Sequence, residues 1–382
     1  MDFAFERKSG GVPAAVGGLC AIAAGIGVGR FVYTPILPQM IGALGISKSQ
    51  AGLIASANFL GYLIGALLAA MPTLPGSRRA WVLGALVVSA LTTATMGVTD
   101  TMSAFLVLRL VGGIASAFVL ILASTIVLEH LAEFRRDGLS AIHFAGVGSG
   151  IALSAALVAA LLRAGQPWWA LWLASGGLAL GGLVAAAALL PHHDGPAPVR
   201  AIERHAALDP RLKRMIAAYG FYGFGYVITA TFLVAIVRAA PAIRALEPVI
   251  WIVFGVAAMP SIALWTWIAT PVGLPRAFAL ACVVEAIGVL ASIAWQATTG
   301  VFAAAILVGG TFMALTALGL MRGRELARGD PRRVLALMTS CFGIGQIVGP
   351  YFAGLVSDWL GSFTVPSVAA AAALLIAAVL AK

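Results

Sequence analysis

The chain is 382 residues long, 61% hydrophobic and 10% charged, with a formal net charge of +10. A soluble domain of that size cannot hide so much apolar surface, so the composition excludes one and points to a lipid solvent. Short alternating strands are missing, which sets aside a membrane β-barrel and leaves helices, whose amides are paired within each segment.

Arg7-Lys8 precedes the first apolar run, and Ala21-Ile22-Ala23 offers a signal-peptidase-like site. The run continues to Ile41, so it reads as an uncleaved first span. Apolar segments predict spans at 12–41, 50–70, 79–98, 102–128, 139–162, 168–190, 212–238, 247–269, 276–296, 300–321, 334–357 and 363–381. Residues 191–211 form the clear linker. It opens with Pro191-His192-His193-Asp194-Gly195-Pro196, which stops a helix. A first half, 1–190, and a second, 212–382, lie on either side.

Segments on the side of the N-terminus hold 18 of the 24 Lys and Arg residues. The other side holds 4, namely Lys48, Arg163, Arg238 and Arg244, while Arg30 and Arg109 lie within spans. The positive-inside rule then puts both termini in the cytoplasm. It also accounts for the net charge without nucleic acid, since the basic loops meet anionic lipid. Cys20, Cys282 and Cys341 are scattered through apolar segments and read as small packing residues, neither a disulfide framework nor a metal site.

The two halves share a repeat. Gly27-Val28-Gly29-Arg30-Phe31-Val32-Tyr33-Thr34-Pro35-Ile36-Leu37 returns 196 residues later as Gly223-Phe224-Gly225-Tyr226-Val227-Ile228-Thr229-Ala230-Thr231-Phe232-Leu233. Leu110-Val111-Gly112-Gly113 returns as Leu307-Val308-Gly309-Gly310, and Phe144-Ala145-Gly146-Val147-Gly148 as Cys341-Phe342-Gly343-Ile344-Gly345, both 197 residues on. Order and spacing hold across half the chain, which in so apolar a sequence indicates a transporter built from two homologous halves.

Twelve spans, a central cytoplasmic loop and two parallel repeats resemble the major facilitator superfamily. The stretch Gly27 to Leu37, continued by Pro38-Gln39-Met40, looks like the first-helix signature of its YbfB/YjiJ-type branch. The stretch Gly223 to Leu233 resembles that branch's seventh helix, and Gly343-Ile344-Gly345-Gln346-Ile347-Val348-Gly349-Pro350 its eleventh. The resemblance implies an all-α membrane protein with twelve transmembrane helices in two pseudo-symmetric six-helix halves. It also implies secondary transport by alternating access around a central site. Two departures stand out. The loop Met71 to Arg79 keeps Arg78-Arg79 but lacks the acid usual after the second helix. Gly146-Val147-Gly148-Ser149-Gly150 lacks the proline of drug/proton antiporters.

Charges inside spans are costly and therefore informative. Arg30 lies mid-span, and Arg109 about two turns into span four. The first-half spans contain no Asp or Glu, so the two guanidiniums form an anion-attracting pair whose forks match carboxylate or phosphate. The bland alternative is that each arginine bonds helix carbonyls and locks the bundle. Arg109-Leu110-Val111-Gly112-Gly113 resembles the superfamily's fourth-helix arginine motif, which is linked with proton coupling.

Tyr222, Tyr226 and Thr229 offer hydroxyls from span seven. With Tyr33, Asn58 and Gln346 they are candidates for contact with a polar or amphipathic solute, or else for interhelix hydrogen bonds. The repeat sets Arg30 opposite Tyr226 and Tyr33 opposite Thr229. His143, the one histidine inside a span, and Glu285, the one carboxylate well inside a span, are further proton-coupling candidates. For His143 a packing role near the inner interface is the simpler reading, and for Glu285 a structural pairing is the alternative. Asp358 ends span eleven as a loop latch or interfacial acid. Glycines four apart, as in Gly25/Gly29, Gly61/Gly65, Gly146/Gly150 and Gly345/Gly349, let helices approach closely.

The sequence thus points to a secondary active transporter in the bacterial cytoplasmic membrane, moving a small organic, anionic solute with proton coupling. Drug or metabolite efflux on the same fold is the alternative, and a non-transporting sensor a more distant one. Clustered nucleophiles, metal ligands and paired acids are missing from the spans, so no enzymatic activity, metal or cofactor is expected. The expected partners are the solute, protons and membrane lipid, with the chain acting as a monomer.

Overall fold

The computed structural model describes residues 11–71, 74–192, 209–295, 297–327 and 331–382, leaving aside the side chains of residues 331 and 332. Most of the expected linker, with Arg7, Lys8, Arg200, Arg204 and Arg328, lies outside the described residues. Every regular element among the described residues is helical. Among the described residues ten helices are long and apolar enough to cross a membrane, and a bent pair can serve as an eleventh span. The segment expected at 363–381 is a helix over Thr364–Leu380, 17 residues. At 1.5 Å per residue it runs about 25 Å, short of the roughly 30 Å hydrocarbon core. Exposed tryptophans mark several helix ends, among them Trp169, Trp295 and Trp359, where an amphipathic ring suits the membrane interface.

Two expected spans are not continuous helices. The first comprises α1 (Gly11–Ile22), a π-helical segment (Ala23–Val28), a turn, and α2 (Tyr33–Leu44). Pro35 cannot donate to the Phe31 carbonyl, and its ring crowds that carbonyl. The strain is taken up one turn earlier, where Gly29 N–H bonds Ala24 O at 2.9 Å and Phe31 N–H bonds Ile26 O at 3.3 Å. These five-residue steps are a π-bulge, a common local solution for a broken ladder. The eighth expected span divides into α9 (Glu247–Ala258) and α10 (Ser261–Val272), bent by 44°. Pro260 sits at the bend and supplies the cause.

The remaining helices are α3 (Lys48–Ala69), α4 (Arg78–Thr95), α5 (Met102–Glu133), α6 (Ser140–Arg163), α7 (Trp168–Leu189), α8 (Pro210–Ala239), α11 (Leu274–Ala294), α12 (Thr298–Glu325), α13 (Pro331–Leu360) and α14 (Thr364–Leu380). They group into two compact units. One contains residues 1–32 and 61–198; the other contains residues 33–60 and 199–382.

In the first unit α1 packs on α5, α6 and α7, and α4 packs on α5 and α7. Glycine makes this possible. A Cβ built on Gly27 would lie 2.5 Å from the Gly150 Cα and 2.8 Å from the Val147 carbonyl oxygen. One on Gly65 would lie 2.8 Å from the Ile114 Cα. In the second unit α8 packs on α13, α14 and α2, and α11 packs on α12 and α14. There a Cβ on Gly345 would lie 2.6 Å from the Phe224 nitrogen. The glycine pairs read from the sequence are therefore helix-contact points.

Candidate functional site

In the first unit the broken span brings the two intramembrane arginines together. Pro35 interrupts the ladder and carbonyls of the turn become available. Arg109, buried on α5, donates from Nη1 to the Gly29 carbonyl and from Nη2 to the Arg30 carbonyl, both at 3.0 Å. Its fork thus grips the backbone that carries Arg30. These two bonds match the carbonyl-locking alternative. Arg30 is also buried. Its guanidinium lies over the Tyr62 ring, 4.4 Å from the centroid, and 5.4 Å from the Phe31 centroid. Ring faces stabilise a cation while leaving its edges directional.

Sequence patterning does not single out Tyr62. It falls one turn after Asn58 on α3, so helical spacing from that polar candidate reaches it.

In the second unit Tyr222, Tyr226 and Gln346 meet. The Gln346 Nε2 donates to the Tyr226 hydroxyl, and the Tyr222 hydroxyl donates to the Phe312 carbonyl beside the Thr316 hydroxyl. The rings of Tyr222 and Tyr226 stack at 5.1 Å, and Phe342 lies 5.8 Å from Tyr226 in a nearly parallel plane. Thr229, one turn beyond Tyr226, is fully buried, and its hydroxyl meets no hydrogen-bond partner. Ser357 and Ser367 share that state, whereas Ser261, Ser292 and Thr311 bond a carbonyl three or four residues back.

Tyr33 and Asn58, both buried, also belong to the second unit. The Tyr33 hydroxyl donates to Ala51 O at 2.8 Å. Neighbouring hydroxyls do the same across helices: Thr34 to Ala230 O at 2.8 Å and Ser56 to Ile347 O at 2.6 Å.

The two remaining coupling candidates sit elsewhere. His143 on α6 is wedged against Gly18 of α1, with the Ser124 hydroxyl 3.0 Å from Nε2. Glu285 on α11 is fully buried, and neither carboxyl oxygen meets a hydrogen-bond partner. The Thr311 hydroxyl is beside it but is engaged with the Leu307 carbonyl at 2.6 Å. Among the described residues no group of three or more His, Cys, Asp and Glu side chains could hold a metal ion.

The fold has counterparts among solved structures. A single-substitution mutant of the nucleoside transporter NupG superposes with a TM-score of 0.75 at 13% identity, covering 96% of this chain and 98% of that one. NupG without the substitution gives 0.73 at 14%, covering 97% and 98%. Identities this low show a shared fold. No curated protein matches the sequence. Residues 22–382 match the family described as "Uncharacterised MFS-type transporter YbfB". With nearly the whole length matched, the chain belongs to the YbfB-type family of major facilitator transporters.

Proposed function

We propose that this membrane transporter moves a small organic anion across the cytoplasmic membrane by alternating access, with both termini cytoplasmic and twelve spans in two six-helix halves. Arg30 carries the reading. It is a buried cation in mid-span, whereas Glu129 and Glu133 of that half lie in the last turns of α5. Burying a cation is costly, and an anionic solute offsets that cost while accepting the guanidinium's paired N–H groups. Within the second unit, Tyr226, Thr229 and Gln346 form a separate set of neutral polar candidates. Arg109 serves the first half by holding the Arg30 backbone in place.

The test is uptake of a panel of radiolabelled organic anions by proteoliposomes. Arg30→Ala is expected to lower flux at least tenfold with the thermal midpoint little changed. Arg30→Lys recovers part of it, because charge returns without the planar fork. Undiminished flux in Arg30→Ala overturns the anion assignment.

We assign the coupled proton to Glu285. A carboxylate buried without a partner is expensive, and a group in that position is suited to take up and give back a proton as its surroundings change. Glu285→Gln should keep solute exchange at wild-type rates while losing the acceleration given by an imposed pH gradient. An intact gradient response in that variant removes Glu285 from the coupling.

A further inference from the structure

The first turn of α3 is capped by a residue 310 positions away. A helix start leaves several backbone N–H groups without intrahelical partners, and here each of the first four has an identified one. Ser47 and Gln50 make a local capping box: Gln50 N–H bonds the Ser47 hydroxyl at 3.1 Å, and Ser47 N–H bonds Gln50 Oε1 at 2.8 Å. Ala51 N–H makes the first helical bond, to Ser47 O at 2.9 Å. The two left over, Lys48 and Ser49, are both taken by Asp358 at the end of α13. Lys48 N–H bonds Oδ1 at 3.0 Å and Ser49 N–H bonds Oδ2 at 2.8 Å.

The contact is reciprocal. Lys48 Nζ donates to the Ser357 carbonyl at 3.1 Å, in the last turn of α13, and lies 5.3 Å from the Phe363 ring centroid. A carboxylate thus meets the positive end of one helix, and an ammonium meets the negative end of the other. The backbones touch just beyond. A Cβ on Gly354 would lie 2.7 Å from the Ser49 Cα, and one on Gly52 would lie 2.7 Å from the Pro350 carbonyl carbon.

We propose that Asp358 and Lys48 form a reversible clasp between α3 and α13, and that opening it is one step of the transport cycle. The inference rests on the alternating-access reading above. The clasp lies at the end of the bundle that the Lys and Arg distribution places outside. Its bonds are to backbone amides and a carbonyl at helix termini, so water can replace them when the helices part. The cap therefore costs little to break and re-forms without any side chain leaving its helix. The loop Met71 to Arg79 contains no acid that could play the equivalent part at the opposite end. The clasp accordingly favours the conformation closed at the Asp358 end.

The test needs no substrate. Ser56, buried two turns into α3, is changed to cysteine in a chain whose Cys20, Cys282 and Cys341 are replaced by alanine. Labelling by a water-soluble maleimide is followed on the protein in lipid nanodiscs. Asp358→Asn should raise the labelling rate about tenfold, and Lys48→Met by a smaller factor. Thermal midpoints within about 3 °C of the parent show that the gain is opening and not unfolding. Unchanged labelling in Asp358→Asn and Lys48→Met overturns the clasp. So does faster labelling accompanied by a matching rise at a cysteine placed at Ala117, deep in the other unit, which would indicate general loosening. Neither result bears on the anion reading, which stands or falls with flux in Arg30→Ala.

Discussion

Arg109→Ala is expected to lower the thermal midpoint by roughly 10 °C and to abolish transport. The guanidinium donates to two carbonyls of the broken first span. Hydrogen bonds from a charged donor contribute about 1.5–3 kcal/mol each. Losing two leaves buried acceptors unmet in a region without water, for a total of about 3–6 kcal/mol. At about 2–4 °C per kcal/mol for a large domain, the shift is readily measured by nanoscale fluorimetry in detergent. Arg109→Lys should fall between, with charge retained but the fork lost. A role in solute contact alone predicts the opposite signature: flux lost, midpoint unmoved. Observing that pattern would return Arg109 to the binding site.

Gly150→Leu should yield no folded, monodisperse protein in fluorescence size-exclusion chromatography. A Cβ at Gly150 would already lie 2.8 Å from the Cα atoms of both Ala23 and Gly27. The obstruction is backbone on the facing helix, which cannot rotate away as a side chain can. Even Gly150→Ala forces α6 off the π-helical segment, with an overpacking cost of about 1–3 kcal/mol; an isobutyl group goes well beyond that. Gly177→Ala on α7 is the control, because a Cβ there meets nothing within 4 Å. That variant should be neutral or slightly stabilised by better helix propensity. Equal behaviour of Gly150→Ala and Gly177→Ala would show that the close approach of α1 and α6 is not a constraint.

Ten or eleven of the twelve expected spans were legible because lipid imposes a length and an apolar character that composition reveals directly. Helix α8, for example, covers residues 210–239 against the expected 212–238. The bend at Pro260 was likewise readable from the residue itself. The break in the first span was only half legible. Pro35 was visible, but a π-bulge depends on what can cross the gap, and the residue that does so comes from α5. The repeat set Arg30 opposite Tyr226, yet the backbone differs at these equivalent positions: α8 runs unbroken where the first span turns. Sequence also placed Arg109 and Arg30 in the same half, but their connection runs through carbonyls, which no side-chain pattern records. The grouping of residues 33–60 with the second unit was illegible for the same reason. It arises from contacts such as Ser56 with Ile347 and Asp358 with Ser49, each separated by about three-quarters of the chain.

That grouping has a consequence for biogenesis. Lys48 leaves the ribosome 310 residues before the carboxylate that caps its helix. At about 5–20 residues per second the wait is roughly 15–60 s. During it, the amides of Lys48 and Ser49 and the hydroxyls of Thr34 and Ser56 lack the partners they hold in the finished protein. The first helical hairpin must therefore be sheltered, by water at the membrane surface or by insertion machinery, until α8 and α13 arrive. Assembly of the second unit is completed by one of the earliest segments to be synthesised.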